Sequence, residues 1–194
     1  MRNSLVVISA TSGCGKDTII EKVCQRLDGI GVSISCTTRD PRPKSDGNYE
    51  QHGVDYFFIN RSEFEERICQ IGFLEYANNK GDLYGTPRSY VLKLLDEGVS
   101  VILEIDLQGA IQVKERMPES VSIFILPPSF EELESRLRGR GTETPEKIEK
   151  RLAAAKYEME MAYTYDYRIV NDNLEEAYQQ LRSIFLNETE KANA

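Results

Sequence analysis

Apolar residues in this chain gather in short unbroken runs, each followed by a stretch where they recur at helical spacing. Leu5-Val6-Val7-Ile8 opens the series. A run with no polar alternation predicts a strand over Leu5–Ser9, buried on both faces of a parallel sheet. Ile19, Val23 and Leu27 then follow at helical spacing. Val99–Asp106, Val121–Leu126 and Tyr167–Val170 are further apolar runs, each preceding a helical pattern. The last helix is the clearest, with Leu174, Ala177, Tyr178, Leu181, Ile184 and Phe185 on one face. Strands alternating with helices predict an α/β fold with a mainly parallel sheet. In such sheets ligands bind at the carboxyl ends of the strands.

Two stretches break the rhythm. Residues 33–90 hold strand-like pieces at Tyr56–Ile59 and Phe73–Tyr76, and a helix opened by a Ser62…Glu65 capping box. This region reads as an inserted subdomain, and its polar piece Lys44–Gly53 as a flexible loop. Residues 136–151 carry Arg136, Arg138, Arg140 and Arg151, with Gly139 and Gly141 among them. Thr144 is expected to cap a helix whose first residue is Pro145, and the stretch as a whole reads as a mobile lid. There is no internal repeat and no low-complexity segment.

Composition narrows the function. A chain of 194 residues with 40% hydrophobic content suffices for one domain with a sizeable core. The net charge of −8 argues against non-specific binding to nucleic acid or an anionic membrane, so neither is an expected partner. No segment approaches the ~20 apolar residues of a membrane span. The apolar run after Met1-Arg2-Asn3-Ser4 is too short for a signal-peptide core. Cys14, Cys24, Cys36 and Cys69 have no metal-type spacing, which points to free thiols and a cytoplasmic location. His52 is the sole histidine, which argues against a Ser-His triad or a histidine-rich metal site. Monomer and homodimer both remain open.

The stretch Ser9-Ala10-Thr11-Ser12-Gly13-Cys14-Gly15-Lys16-Asp17-Thr18 follows the first strand and opens a helix. That is the context of a phosphate-binding loop. Gly13 and Gly15 let the backbone turn tightly and bring its N–H groups to phosphate oxygens. The helix N-terminus points its positive end at the same place, and Lys16 supplies a mobile point charge. Two positions depart from the usual pattern: Ala10 replaces the first glycine, and Asp17 replaces the hydroxyl residue that normally binds Mg²⁺. The plainer alternative is a glycine turn that holds no ligand. Cys14, near a helix N-terminus and Lys16, is either a thiol of lowered pKa or an inert loop position. Arg39 and Arg42 stand three apart around Pro41, so two guanidinium forks either converge on one anion or sit solvated at the surface.

Several further motifs stand in order along the chain: Ser35-Cys36-Thr37-Thr38-Arg39-Asp40-Pro41-Arg42, Gly53-Val54-Asp55-Tyr56-Phe57-Phe58, Phe73-Leu74-Glu75-Tyr76-Ala77, Tyr84-Gly85-Thr86, Leu103-Glu104-Ile105-Asp106-Leu107-Gln108-Gly109-Ala110, Ile123–Ser129, Arg136–Gly141 and Ile169-Val170-Asn171-Asp172. With the phosphate loop, this ordered set resembles guanylate kinase over nearly the whole chain. The resemblance implies a three-layer P-loop fold with a core (about 1–32, 92–128 and 165–194), a mixed α/β GMP-binding subdomain (about 33–91) and a helical lid (about 129–164). It implies transfer of the γ-phosphoryl group of ATP to GMP or dGMP, with Mg²⁺ as cofactor. Lys16 and the loop Ala10, Thr11, Ser12, Gly13, Cys14, Gly15, Asp17 and Thr18 would hold the ATP phosphates, and Asn171 would lie near adenine. Arg39, Arg42, Tyr56 and Tyr84 would hold the GMP phosphate. Ser35, Glu75, Thr86 and Asp106 would read or orient guanine. Arg136, Arg140 and Arg151 would close over the transferring group.

These roles make chemical sense. Guanine offers N1–H and the N2 amine as donors beside the O6 acceptor. A Glu75 carboxylate can accept from both donors, and the hydroxyls of Ser35 and Thr86 can donate to O6. Adenine would meet the carboxylate acceptor to acceptor, and unpaired buried polar groups discriminate strongly. The nucleophile is an anionic phosphate oxygen, so no general base is needed; catalysis is positioning plus electrostatic neutralisation. Alternation along Val99–Asp106 predicts Glu104 and Asp106 on one face near the loop. They either hydrogen-bond loop backbone, or Asp106 faces GMP and the water shell of Mg²⁺ with Glu104 in support. Asp17 is expected to bind Mg²⁺ directly or through water while Thr18 takes the phosphate contact; alternatively it turns away to cap the helix or pair with an arginine. Two other functions compete. Guanylate kinase-like modules of scaffold proteins bind peptides without catalysis, but Lys16 and the lid arginines are present here. Ribose bisphosphate phosphokinases share a Gly-Lys-Asp loop ending, but the guanine-reading set argues against them.

Overall fold

The computed structural model describes residues 3–139 and 144–191. Its first sheet is built from β1 (Leu5–Ala10), β2 (Ile30–Val32), β7 (Ser100–Glu104), β8 (Val121–Leu126) and β9 (Tyr167–Val170). These strands pair in the order β2-β7-β1-β8-β9, every pair parallel. Parallel pairing requires a crossover between neighbours. Helices α1 (Lys16–Arg26), α3 (Arg88–Asp96), α4 (Leu107–Arg116) and α7 (Leu174–Lys191) provide that connectivity or flank it.

The three layers follow from side-chain parity in β1. Val6 and Ile8 face one side, joining Ile19 and Val23 of α1 and Ala177, Leu181 and Phe185 of α7. Leu5 and Val7 face the other, joining Val91 of α3 and Leu107, Ala110 and Val113 of α4. A strand buried on both faces needs an unbroken apolar run, which is what Leu5–Ile8 supplies. The apolar face expected for the last helix is the buried one, except Leu174, which is partly exposed.

The second sheet is mixed and short. Its strands are β3 (Cys36–Thr37), β4 (Phe57–Phe58), β5 (Phe73–Asn79) and β6 (Asp82–Pro87), in the order β4-β3-β6-β5. A stacked pair, Phe64 and Phe73, fills its small core with Cys36 and Leu83. Helix α2 (Arg61–Cys69) covers it. The cap of α2 differs from the expected Ser62…Glu65 box: Asn60 is the N-cap and accepts a bond from the Glu63 N–H at 2.8 Å. An asparagine two positions upstream offers the same oxygen chemistry, so the helix starts two residues earlier.

The polar piece Lys44–Gly53 also differs from expectation. It is a folded hairpin-like loop. Pro43 and Tyr49 form an antiparallel bridge, the Lys44 N–H donates to Asn48 at 2.7 Å, and Lys44 pairs with Asp55 at 2.8 Å. Helices α5 (Phe130–Gly139) and α6 (Pro145–Met161) carry the arginine-rich stretch. Pro145 is the first residue of α6 and Thr144 its N-cap, as expected, though the Thr144 side chain makes no capping bond to the helix backbone. Leu133, Leu137, Ile148, Leu152 and Ala155 of these two helices pack into the same core as Cys14.

Candidate active site

The phosphate loop has the geometry its glycines require. Gly13 has φ of 99° and Gly15 of 77°, conformations that side chains rarely adopt. Both positions are also crowded: a Cβ on Gly15 would lie 2.8 Å from Asn171 Nδ2, and one on Gly13 3.2 Å from the Leu137 side chain. Gly15 is the N-cap of α1, so the free N–H groups of its first turn open onto the loop. Ala10 ends β1, and Thr11 is buried with its hydroxyl against the Cys14 sulfur. Ser12 and Thr18 are exposed.

Lys16 does not extend into solvent. Its ammonium contacts Glu104 at the end of β7 and lies 3.2 Å from Asp17 Oδ1. The Asp17 side chain is 80% exposed. What burial it has opposes ionisation, but the Lys16 charge and hydrogen bond outweigh this and hold its carboxyl below the usual range. The pairing of Asp17 is therefore with Lys16 rather than with an arginine. Cys14 follows the inert alternative: it is buried, and desolvation raises its thiol pKa despite the helix terminus.

A cavity of about 460 Å³ lies beside this loop. Ser35, Tyr56, Glu75, Tyr84, Glu104 and Asp106 are among its lining residues. Glu75 is buried on β5, directly opposite Thr86 of β6. The Thr86 hydroxyl donates to Glu75 Oε1 at 2.6 Å. Burial pushes the Glu75 pKa up; the Thr86 bond counters it, and the Asp106 charge adds to it. Glu104 and Asp106 both line this cavity, as expected. Strand β7 ends at Glu104, and Asp106, still extended, is the N-cap of α4, its Oδ1 accepting from the Gly109 N–H at 2.9 Å.

At the cavity's far end the two arginines are organised by a residue the sequence did not single out. Glu50 accepts from Arg39 Nη1 at 2.8 Å and Nη2 at 3.0 Å, and from the Arg42 backbone N–H at 2.7 Å. Arg39 is 8% exposed and also lies over the Tyr56 ring, 5.4 Å from its centroid. The Glu50 bonds, partly opposed by burial, raise its pKa still further, so it is a permanent cation. The Arg39 Nε is buried without a partner among the described residues. Arg42 is exposed and Tyr84 packs edge-on to Tyr56. The only sequence signal for Glu50 was an acidic residue within reach of the arginine pair.

The arginine-rich helices reach the phosphate loop. Arg151 Nη1 donates to Ser12 Oγ at 2.6 Å, and Arg136 Nη1 to the Asn171 carbonyl at 3.3 Å. Arg138 joins the two helices by bonding Glu134 and Glu149. Arg140 lies outside the described residues. Asn171 is buried behind the loop, its Nδ2 donating to the Cys14 carbonyl at 2.6 Å. That bond braces the loop from behind.

The oxygen-rich surroundings of Lys16 fit a hard divalent cation. An ammonium already sits between the carboxylates of Asp17 and Glu104, and no cluster of three or more protein ligands occurs among the described residues. Mg²⁺ commonly binds through one or two carboxylates plus phosphates and water, so a sparse protein donor set is the appropriate one.

Comparisons with known proteins agree with this geometry. The sequence model of the guanylate kinase family matches residues 2–188. A guanylate kinase of Clostridium perfringens is 48% identical over 187 residues, covering 96% of this chain and 84% of that protein. One from Thermus thermophilus is 48% identical over 192 residues, covering 99% and 84%. The crystal structure of guanylate kinase from Anaplasma phagocytophilum superposes with a TM-score of 0.71 at 36% identity, covering 96% of this chain and 86% of that one. The SH3-kinase fragment of tight junction protein 3, at 10% identity and a TM-score of 0.51, shares the fold alone.

Proposed function

The chain belongs to the guanylate kinase family, and from that premise we propose how its cleft moves a phosphoryl group from ATP to GMP. The enzyme is an ATP:GMP phosphotransferase of the nucleoside monophosphate kinase type. One observation carries the assignment of sites: Glu104 both lines the cavity that holds Glu75 and contacts the loop lysine Lys16. A base-reading pocket and a phosphate-binding loop therefore meet at one residue, as direct transfer between two bound nucleotides demands.

In this reading guanine enters against Glu75, which accepts from N1–H and the N2 amine, with the Ser35 hydroxyl near O6, while Thr86, whose one proton goes to Glu75, orients the carboxylate rather than donating to O6. Thr86 already bonds Glu75, so the carboxylate is oriented before substrate arrives. Asp106 lines the same wall. The GMP phosphate takes Arg39, Arg42, Tyr56 and Tyr84. The Nε of Arg39 is a donor with no partner among the described residues, buried until the side chain shifts toward the phosphate. The loop from Ala10 to Thr18 holds the ATP phosphates through its N–H groups, and Lys16 leaves Glu104 to follow them. Arg136 and Arg151, already seated against Asn171 and Ser12, neutralise charge as it spreads over the transferring group. Packing of α5 and α6 against the loop excludes water, which would otherwise compete for the phosphoryl group. The sequence-defined division into core, GMP-binding subdomain and lid is part of the proposal, as is the role of Arg140.

Mg²⁺, when bound with ATP, supplies charge neutralisation between the phosphates. We assign Asp17 to hold it, with Asp106 contributing through water. The free thiols and the absence of any membrane-spanning helix among the described residues are compatible with a cytoplasmic enzyme.

Two variants test these roles. Glu75→Gln turns an acceptor of two bonds into an amide that pairs with only part of the guanine edge. It should raise KM for GMP far more than KM for ATP; equal rises would remove Glu75 from the guanine site. Asp17→Ser removes a charge at the loop. It should tighten metal-free ATP binding and weaken the apparent Mg²⁺ affinity in calorimetry. If both stay constant, Asp17 only pairs with Lys16.

A further inference from the structure

Strand β5 carries Glu75 at the edge of its sheet, since the order β4-β3-β6-β5 leaves one side of β5 without a neighbouring strand among the described residues. An edge strand presents unpaired N–H and C=O groups. Here those groups are met by side chains of α4, a helix that packs on the other sheet. Gln112 Nε2 donates to the Tyr76 carbonyl at 3.0 Å, and its Oε1 accepts from the Tyr76 N–H at 3.2 Å. A side-chain amide thus takes the place of a peptide group in a missing strand. Arg116 Nη1 donates to the Leu74 carbonyl at 2.6 Å. The residues on both sides of Glu75 are therefore tied to α4. Gly109, one turn before Gln112 on the same helix, faces the carboxylate itself: a Cβ there would lie 3.1 Å from Glu75 Oε2 and 3.2 Å from the Ile105 Cβ.

We propose that α4 is the platform that positions the guanine reader, with Gln112 fixing the backbone beside Glu75 and Gly109 leaving room for its carboxylate. The inference rests on the reading of Glu75 as the residue that accepts from guanine. Gln112 and Gly109 touch no substrate; they act through Glu75. Because α4 starts at Asp106, the same helix sets two walls of the cavity, and a shift of β5 along it displaces the carboxylate from the base edge.

The probe is the ratio of kcat/KM for GMP to that for inosine monophosphate, which lacks only the 2-amino group. Gln112→Met keeps the length and loses both bonds to Tyr76. Gly109→Ala keeps those bonds and crowds Glu75; the helix preference of alanine over glycine offsets part of the cost of that crowding, and a thermal melt confirms that the variant is folded. Each should lower the ratio about tenfold, the scale of one hydrogen bond to a charged group. The loss should appear in KM for GMP, with KM for ATP unchanged. Glu75→Gln should lower the ratio alone, and Gln112→Met added to it should lower it no further. If Glu75→Gln lowers the ratio while Gln112→Met or Gly109→Ala leaves it intact, the platform is refuted and the reading of Glu75 stands. If Glu75→Gln leaves the ratio intact, the reading itself falls, and the inference with it. Should Gln112→Met fail to fold, Gly109→Ala decides the matter by the same ratio.

Discussion

Replacing Asn171 with alanine separates two roles that one residue could play. Near adenine, its amide would read the base; behind the loop, it braces Cys14. The structure shows the bond from Nδ2 to the Cys14 carbonyl at 2.6 Å, in a buried position. Leaving a buried acceptor without its donor costs about 1–3 kcal/mol. For a chain of this length each kcal/mol corresponds to about 2–4 °C in Tm, so a loss of ~2 kcal/mol lowers Tm by about 4–8 °C. Asn171 fills the space beside Gly15, where an added Cβ would meet its Nδ2 at 2.8 Å, so it backs the loop next to the glycine as well as at Cys14. Loosening that contact displaces N–H groups meant for phosphate, and a misplacement of this kind costs about tenfold or more in kcat/KM. Thermal unfolding, together with kinetics using ATP and GTP as donors, makes the distinction. A brace predicts a lower Tm, a higher KM for both donors and an unchanged ATP:GTP preference. A changed preference at constant Tm would refute the brace and return Asn171 to the adenine site.

Four further outcomes are expected. The Glu75 pKa is raised by burial, so the GMP:inosine monophosphate ratio, in which the phosphate's own titration cancels, should fall on acidification at a pH above the ordinary glutamate value of ~4.3; in Glu75→Gln the ratio should be flat. The folded chain holds that proton more tightly than the unfolded one, so the Glu75 contribution to apo stability is largest in acid and declines as pH rises through the raised value; a trend of opposite sign in Glu75→Gln difference measurements would contradict it. Glu50→Gln puts an amide donor against the Arg39 fork and should lower stability by about 2 kcal/mol while raising KM for GMP; no change in either would show the pair to be incidental. In thiol alkylation, exposed Cys69 should react and buried Cys14 should not, with or without nucleotide; rapid modification of Cys14 would mean the loop opens freely.

The parallel sheet was legible because a strand buried on both faces must be continuously apolar. Val121–Leu126 and Tyr167–Val170 lie where their runs stand in the sequence. Strand β6 left no such trace: Asp-Leu-Tyr-Gly-Thr-Pro contains a glycine and a proline and no apolar run, and only its pairing with β3 and β5 on either side makes it a strand. The two-residue β3 is equally silent for the same reason. Within the site, the phosphate loop and the arginine pair were readable from residue type and spacing. Glu50 was not, because its partner lies 11 residues away across a loop that reads as flexible until Lys44, Asp55 and the Pro43–Tyr49 bridge are seen to close it. Asp106 was placed correctly at the cavity but on the wrong element, since alternation cannot tell the end of a strand from the cap of the next helix. Gln112 gave no signal at all; a helix side chain that completes a sheet edge is a purely tertiary fact.

The central claim is that one cleft joins a phosphate loop to a pocket built for guanine. ADP formation measured with GMP, dGMP, AMP and ribose 1,5-bisphosphate as acceptors, under one ATP and Mg²⁺ concentration, tests it most directly. GMP should be the best acceptor, dGMP weaker, and AMP and ribose 1,5-bisphosphate poor, because neither of the last two presents guanine's paired N1–H and 2-amino donors to Glu75. Turnover of AMP equal to that of GMP, or a preference for ribose 1,5-bisphosphate, would contradict the claim.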